Sequence, residues 1–116
     1  MNEFNDDKIV IDEIDEYSLE ILEMLDTLKE YLSSFSQVEN VDIPRSVLIG
    51  NEIVAFDIEI TFKTVDMMKA KKVLESVKNL IKNSDYKING FHYIVSSESI
   101  GMTVKQGLTL IIEVSK

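Results

Sequence analysis

The chain of 116 residues has no cysteine and no tryptophan, one proline (Pro44) and one histidine (His92). Without cysteine it cannot form a disulfide, bind a metal through a thiolate or use a thiol nucleophile. No apolar run exceeds four residues, whereas a membrane-spanning helix needs about 20. The first residues are acidic and lack the apolar centre of a signal peptide. We therefore expect a cytoplasmic protein that does not span a membrane.

Positive charge is scarce at the start of the chain. Residues 1–40 hold twelve acidic residues against Lys8 and Lys29, a net charge of −10, whereas residues 41–116 have a net charge of +1. The total of −9 argues against binding nucleic-acid phosphates or anionic membranes. It favours protein partners, in particular basic ones.

Helical periodicity dominates the first third of the chain. Residues 1–11 are an acidic lead-in that is either flexible or docked as an extra strand, and residues 12–116 fit one domain of ordinary size. A first helix is predicted from about Asp12 to Phe35, because apolar residues recur there at steps of three and four. This apolar stripe consists of Ile14, Ile21, Leu25, Leu28, Leu32 and Phe35.

Strand-like stretches follow the first helix. Val38–Ile43 is predicted as a strand that Pro44 interrupts, since proline cannot donate to a ladder, and Val47–Ile49 resumes the apolar run. A turn is predicted at Gly50-Asn51. In Val54–Phe62 apolar and polar residues alternate strictly, which is typical of a strand covered on one face.

A second helix is predicted from Val65 or Asp66 to Asn83, with Thr64 or Asp66 as its N-cap. Its exposed positions are rich in lysine, in contrast to the acidic first helix. The predicted buried stripe consists of Ala70, Val73, Leu74, Val77, Leu80 and Ile81.

The last third of the chain contains two more strands. We expect a turn over Asn83–Gly90, a strand over Phe91–Val95, and a long hairpin tip or mobile loop over Ser96–Gly107. The alternating residues of Leu108–Val114 form the final strand. The order α-β-β-α-β-β predicts an α+β two-layer sandwich, with two helices on one face of a mostly antiparallel sheet of about four strands.

The sequence contains little that suggests catalysis. His92 has no second histidine or cysteine to complete a metal site, and no glycine-rich phosphate-binding motif occurs. A lone histidine is more often a surface residue than a ligand or a base. We therefore expect a protein that is not an enzyme, with no catalytic residues, no metal and no cofactor.

Charge separation between the two helices suggests interaction surfaces. Such faces could pair with copies of the same chain and give a homo-oligomer, or the acidic helix face could serve solubility alone. The candidate contact residues are Glu13, Glu16, Glu20, Glu23 and Glu30 on the first helix and Lys69, Lys72 and Lys78 on the second.

The layout from Pro44 onward resembles bacteriophage tail terminators and related minor tail or capsid proteins. The matching segments are Pro44–Gly50 as the entry to a strand, the alternating strand Val54–Phe62, and the amphipathic helix Asp66–Ile81. Two final strands, Phe91–Val95 and Leu108–Val114, flank a polar loop. The resemblance implies a ring-forming structural subunit of a virion, with no cofactor and no catalysis.

A second class of function is compatible with the same composition. Small acidic inhibitors, such as toxin-immunity or phage anti-defence proteins, bind a basic protein by matching its charge. An inhibitor of this kind would be a monomer or dimer, whereas a tail protein would assemble.

Overall fold

The alternating segments of the sequence form the two central strands of a four-stranded antiparallel sheet. A computed structural model describes residues 25–50 and 52–116. The strands are β1 (Val38–Ile49), β2 (Glu52–Phe62), β3 (Lys87–Ile100) and β4 (Thr103–Ser115), in the spatial order β1-β2-β4-β3. Helix α1 is described over residues 25–33, and α2 spans Met67–Lys82. The predicted α+β order α-β-β-α-β-β is confirmed.

Both helices bury their apolar stripes against the same face of the sheet. This core face is formed mainly by alternate residues of β2 and β4, among them the pairs Ile58–Ile112 and Ile60–Leu110. Leu32 of α1 and Val73 of α2 are fully buried against it. The other face of the sheet, here called the outer face, carries the intervening polar residues.

Glycines make the tight turns of both hairpins. Gly50 and Gly101 have φ angles of 64° and 62°, a left-handed conformation that residues with a Cβ rarely adopt. Gly101 and Met102 alone separate β3 from β4. The short connection keeps the two strands paired from Ile100↔Thr103 to Lys87↔Ser115.

Two strand predictions need correction. Pro44 does not end β1, which continues to Ile49; a register shift between Asp42 and Arg45 accommodates the ring, because an edge strand needs no donor on its open side. Asn83–Gly90 is a turn only in its first half, since β3 begins at Lys87.

Of the two structures predicted for Ser96–Gly107, the segment forms the hairpin tip and not the mobile loop. Its residues pair as the outer halves of β3 and β4, for example Glu98 with Lys105. Polar composition concealed the strand, because this part of the hairpin extends beyond Phe62, the last residue of β2, and has solvent on both faces.

Two predicted core residues are placed differently. The register shift between Val47 and Leu48 leaves Val54 as an extra residue in β2, so the alternation reverses there and Ile53 is buried in place of Val54. Leu80 is 43% exposed, whereas the rest of the predicted stripe of α2 is buried.

The ends of α2 agree with the prediction. The Asp66 carboxylate caps the first turn by accepting a hydrogen bond from the Lys69 backbone N–H at 3.2 Å.

In α1, Leu25, Leu28 and Leu32 are buried as predicted, and Phe35 packs against the core. The lead-in of residues 1–11 and the predicted helix from Asp12 to Met24 lie outside the described residues.

Candidate interaction surfaces

Helix α2 presents a basic surface to solvent. Lys69, Lys71, Lys72 and Lys82 are exposed around a single acidic residue, Glu75. Lys78 is half-buried: its ammonium lies 3.4 Å from a Glu75 carboxylate oxygen and 5.2 Å from the centre of the Phe91 ring. Of the predicted contact lysines, Lys69 and Lys72 are therefore open to a partner, while Lys78 is partly engaged within the chain.

The predicted acidic contact surface is described only at its end. Glu30 is exposed on α1, as expected, and Tyr31 beside it is exposed too. Glu13, Glu16, Glu20 and Glu23 lie outside the described residues, so their part in a contact surface stays a prediction.

The outer face of the sheet carries an acidic patch that the sequence alone did not predict. Register places Asp42 opposite Glu59 and Asp57 opposite Glu113. Like charges directly opposite each other in a sheet are destabilising. Arg45 weakens the repulsion between Asp57 and Glu113. It lies opposite Asp57 on β1, with its Nε 3.8 Å from an Asp57 carboxylate oxygen. The sequence shows each acid, but only strand order and register bring the four together.

Apolar side chains are exposed where each hairpin projects past the sheet. The β3–β4 arm, which we define as residues 96–107, extends beyond β2 by five residues of β4, or about 17 Å at the usual rise per residue. Ile100, Met102 and Val104 are exposed on it. At the opposite end, Leu48 and Ile49 are exposed near the β1–β2 turn. Exposed apolar groups in such clusters are typical of contact surfaces.

A cavity of about 450 Å³ lies between the two helices. Leu28 and Tyr31 of α1 line one side, Leu80 and Ile81 of α2 the other, and Phe56 of β2 the floor. This arrangement explains the exposure of Leu80, which faces the cavity rim. A second depression of about 450 Å³ follows the end of α2 and the start of β3 and is lined by Lys78, Lys82 and Lys87.

Among the described residues, the titratable groups whose pKa values depart from the ordinary value are two tyrosines. Burial raises the pKa of Tyr86, and the nearby charge of Asp85 raises it further. Burial also raises the pKa of Tyr93, with a smaller contribution from Glu75. Within the part of the chain that the structure describes, the Tyr93 hydroxyl is the one buried side-chain polar atom without a hydrogen-bond partner.

His92 lies on the outer face of β3, a surface position of the kind expected for a lone histidine. It is exposed, and its cross-strand neighbour is Ile111. Among residues 25–50 and 52–116, no group of three or more histidine, aspartate or glutamate side chains is arranged to hold a metal ion. His92 thus has an apolar neighbour across the strand, and the structure adds no catalytic role to the sequence reading.

Comparison with known proteins adds no assignment: no protein-family model matches the chain, and no curated protein is significantly similar to it. Within the described residues, neither helix has both the length and the apolar character that crossing a membrane requires.

Proposed function

We propose that the protein is a non-catalytic structural subunit that acts by binding other protein chains and assembles with copies of itself, as in bacteriophage tail completion. The observation that carries the proposal is the pair of hairpin ends with exposed apolar side chains. Ile100 and Met102 at one end and Leu48 and Ile49 at the other have no role in the core. Contact with another subunit would remove them from water.

The distribution of charge supports the same proposal. A basic helix lies on one side of the sheet and an acidic patch on the other. Opposite charges on different surfaces of one molecule allow head-to-tail contacts, which close into rings when the rotation permits. In this reading the subunit is cytoplasmic before assembly and then part of a virion.

The experiment is to measure the mass in solution by light scattering at about 0.1 M and at about 1 M salt. At the higher concentration the electrostatic screening length falls to about 3 Å, which weakens contacts between exposed charges. We expect a homo-oligomer for the wild type. Contacts between charged surfaces predict a lower mass at high salt and in a Glu16→Lys, Glu20→Lys, Glu23→Lys variant.

Apolar contacts are tested with Ile100→Glu, which should reduce the mass. Thr64→Glu is the control, because Thr64 is exposed and lies outside the β3–β4 arm. A wild-type chain that stays monomeric at both salt concentrations would exclude the self-assembling subunit.

The second candidate function is a small acidic inhibitor that binds a basic protein. The outer-face patch of Asp42, Asp57, Glu59 and Glu113 favours it, because these acids persist together despite their mutual repulsion. Such a protein would bind a basic partner as a monomer or dimer, with an association rate that falls steeply with salt. Asp42→Asn with Glu59→Gln should then weaken binding, whereas Glu39→Gln on the same strand should not.

A further inference from the structure

The two edge strands of the sheet differ in how readily they could accept another strand. β1 contains Pro44, and its pairing with β2 shifts register three times. Proline and bulges are features that discourage pairing at an edge. β3 has fourteen residues, no proline and a single shift, between Ile88 and Gly90. Within residues 25–50 and 52–116, β3 pairs only with β4, so it offers a long row of backbone donors and acceptors.

The side chains of β3 are arranged symmetrically about Tyr93. If two copies lie antiparallel with Tyr93 opposite itself, Phe91 falls opposite Val95 and His92 falls opposite Ile94. Residues opposite each other in an antiparallel pair share a face. This holds here, because Phe91 and Val95 both lie on the core face, and His92 and Ile94 both lie on the outer face.

This register covers three of the four large apolar side chains that β3 leaves exposed; the fourth, Ile100 at the hairpin turn, lies beyond the seam. Phe91 is 43% exposed, Ile94 44% and Val95 59%. All three lie within two residues of Tyr93. The twofold axis would therefore bring two Phe91 and two Val95 side chains together on the core face and place the two Ile94 side chains near the axis on the outer face. Apolar pairs across neighbouring strands are a main source of sheet stability.

The bulge in β3 extends the match to charged residues. Asn89 is the extra residue between Ile88 and Gly90. It therefore shifts by one position the partner that each residue before it meets in the second copy. As a result Lys87 falls opposite Glu98 of the second copy; a regular strand would have placed it opposite Ser99. The symmetry gives two such pairs, one near each end of the seam.

We propose that two copies of the chain pair through β3, antiparallel and with Tyr93 on the twofold axis, to form one continuous eight-stranded sheet. This inference rests on the proposed function and names its partner, a second copy of this chain, and its contact surface. The contact is isologous, because the same strand serves on both sides. Larger assemblies would then be built from dimers, with the exposed Ile100, Met102 and Val104 at the end of each arm left free for further contacts.

Charge reversal tests the register. The dimer dissociation constant is measured by sedimentation equilibrium for the wild type, Lys87→Glu, Glu98→Lys and the double variant. Each single change places like charges opposite each other at both pairs and should weaken the dimer by about tenfold. The double variant should recover most of that loss. Lys63→Glu and Glu39→Lys are matched controls, because they make the same charge changes at exposed positions outside β3 and the basic surface of α2.

Cysteine cross-linking provides an independent readout, since the chain has no cysteine of its own. The register sets Gly90 opposite Ser96 of the second copy, both on the outer face. A Cβ at Gly90 would meet nothing closer than a Glu113 carboxylate oxygen at 3.9 Å, so Gly90→Cys should fold normally. A mixture of Gly90→Cys and Ser96→Cys chains should form a disulfide-linked dimer under mild oxidation, and either variant alone should not.

The outcomes separate this inference from the proposed function. If the chain assembles but ignores Lys87 and Glu98 and gives no mixed disulfide, the β3 pairing is wrong while assembly through another surface stands. If the wild type is monomeric up to about 1 mM, both the β3 pairing and self-assembly are wrong. Recovery in the double variant together with the mixed disulfide would establish the register.

Discussion

The hydroxyl of Tyr86 donates a hydrogen bond of 2.7 Å to the carbonyl oxygen of Ile53, 33 residues earlier in the chain. The contact ties the segment after α2 to the start of β2, next to the bulge at Val54. The Tyr86 ring also packs edge-to-face against Phe56, with ring centres 5.5 Å apart. A carbonyl group next to a bulge thus accepts a hydrogen bond from a side chain in a distant part of the sequence.

Replacing Tyr86 by phenylalanine should therefore destabilise the protein while keeping the ring contact. We expect the free energy of unfolding to fall by about 1 kcal/mol, the usual contribution of one hydrogen bond. Urea denaturation measures the change. Tyr31→Phe serves as the control, because the Tyr31 ring is exposed, and an equal loss in both variants would contradict a specific role for the Tyr86 hydroxyl.

The raised pKa values of Tyr86 and Tyr93 predict a loss of stability in alkali. Below pH 10 both the folded and the unfolded chain keep these phenol protons. As the pH rises through the ordinary value of about 10, the unfolded chain loses its protons first, so the free energy of unfolding falls. Denaturation across this range should show a shallower fall for Tyr86→Phe with Tyr93→Phe. Ultraviolet titration should find tyrosines that ionise above the ordinary value.

The register of β2 is tested by two neighbouring substitutions. Ile58→Asp places a charge in the fully buried centre of the core and should cost about 4 kcal/mol or more. Glu59→Lys should change stability by less than about 0.5 kcal/mol, because Glu59 lies on the outer face opposite Asp42. Thermal unfolding of both variants decides the matter, and a costly Glu59→Lys would mean that the faces are assigned the wrong way round.

The exposure of Leu80 gives a test of the α2 stripe. Leu80→Gln should cost less than about 1 kcal/mol, whereas Ile81→Ala should cost about 2–4 kcal/mol because it opens a space in the core. Equilibrium unfolding in urea compares the two. Similar costs would indicate that Leu80 is covered in solution, either by residues outside those described or by another chain.

Hydrogen exchange tests the paired outer halves of β3 and β4. Amides of residues 96–107 that bond across the hairpin should exchange more slowly than those of a loop, because they are held in a ladder. They should exchange faster than amides of residues 108–114, which lie over the core and open only with it. Uniformly fast exchange across 96–107 would contradict the paired strands and favour the mobile loop, the other alternative that the sequence left open.

Periodicity in the sequence was sufficient for the elements over the core. The alternation at Val54–Phe62 and Leu108–Val114 and the stripe of α2 reflect burial on one side, which leaves a regular apolar pattern in any chain that folds this way. The α+β class followed from such local signals, and they narrowed the cap of α2 to Thr64 or Asp66, of which the structure shows Asp66. Where an element has solvent on both faces, as in residues 96–107, the pattern disappears and the strand could not be recognised.

Tertiary structure alone decided the features that depend on register and strand order. Pairing between distant strands placed Asp42 beside Glu59 and Asp57 beside Glu113, and packing of α1 against α2 put Leu80 at a cavity rim. The bulges at Val54 and Asn89 each add one residue to their strand. Every residue beyond a bulge therefore lies on the opposite face from the one that strict alternation predicts. A bulge is set by the fit between two strands, so neither strand's sequence specifies it alone.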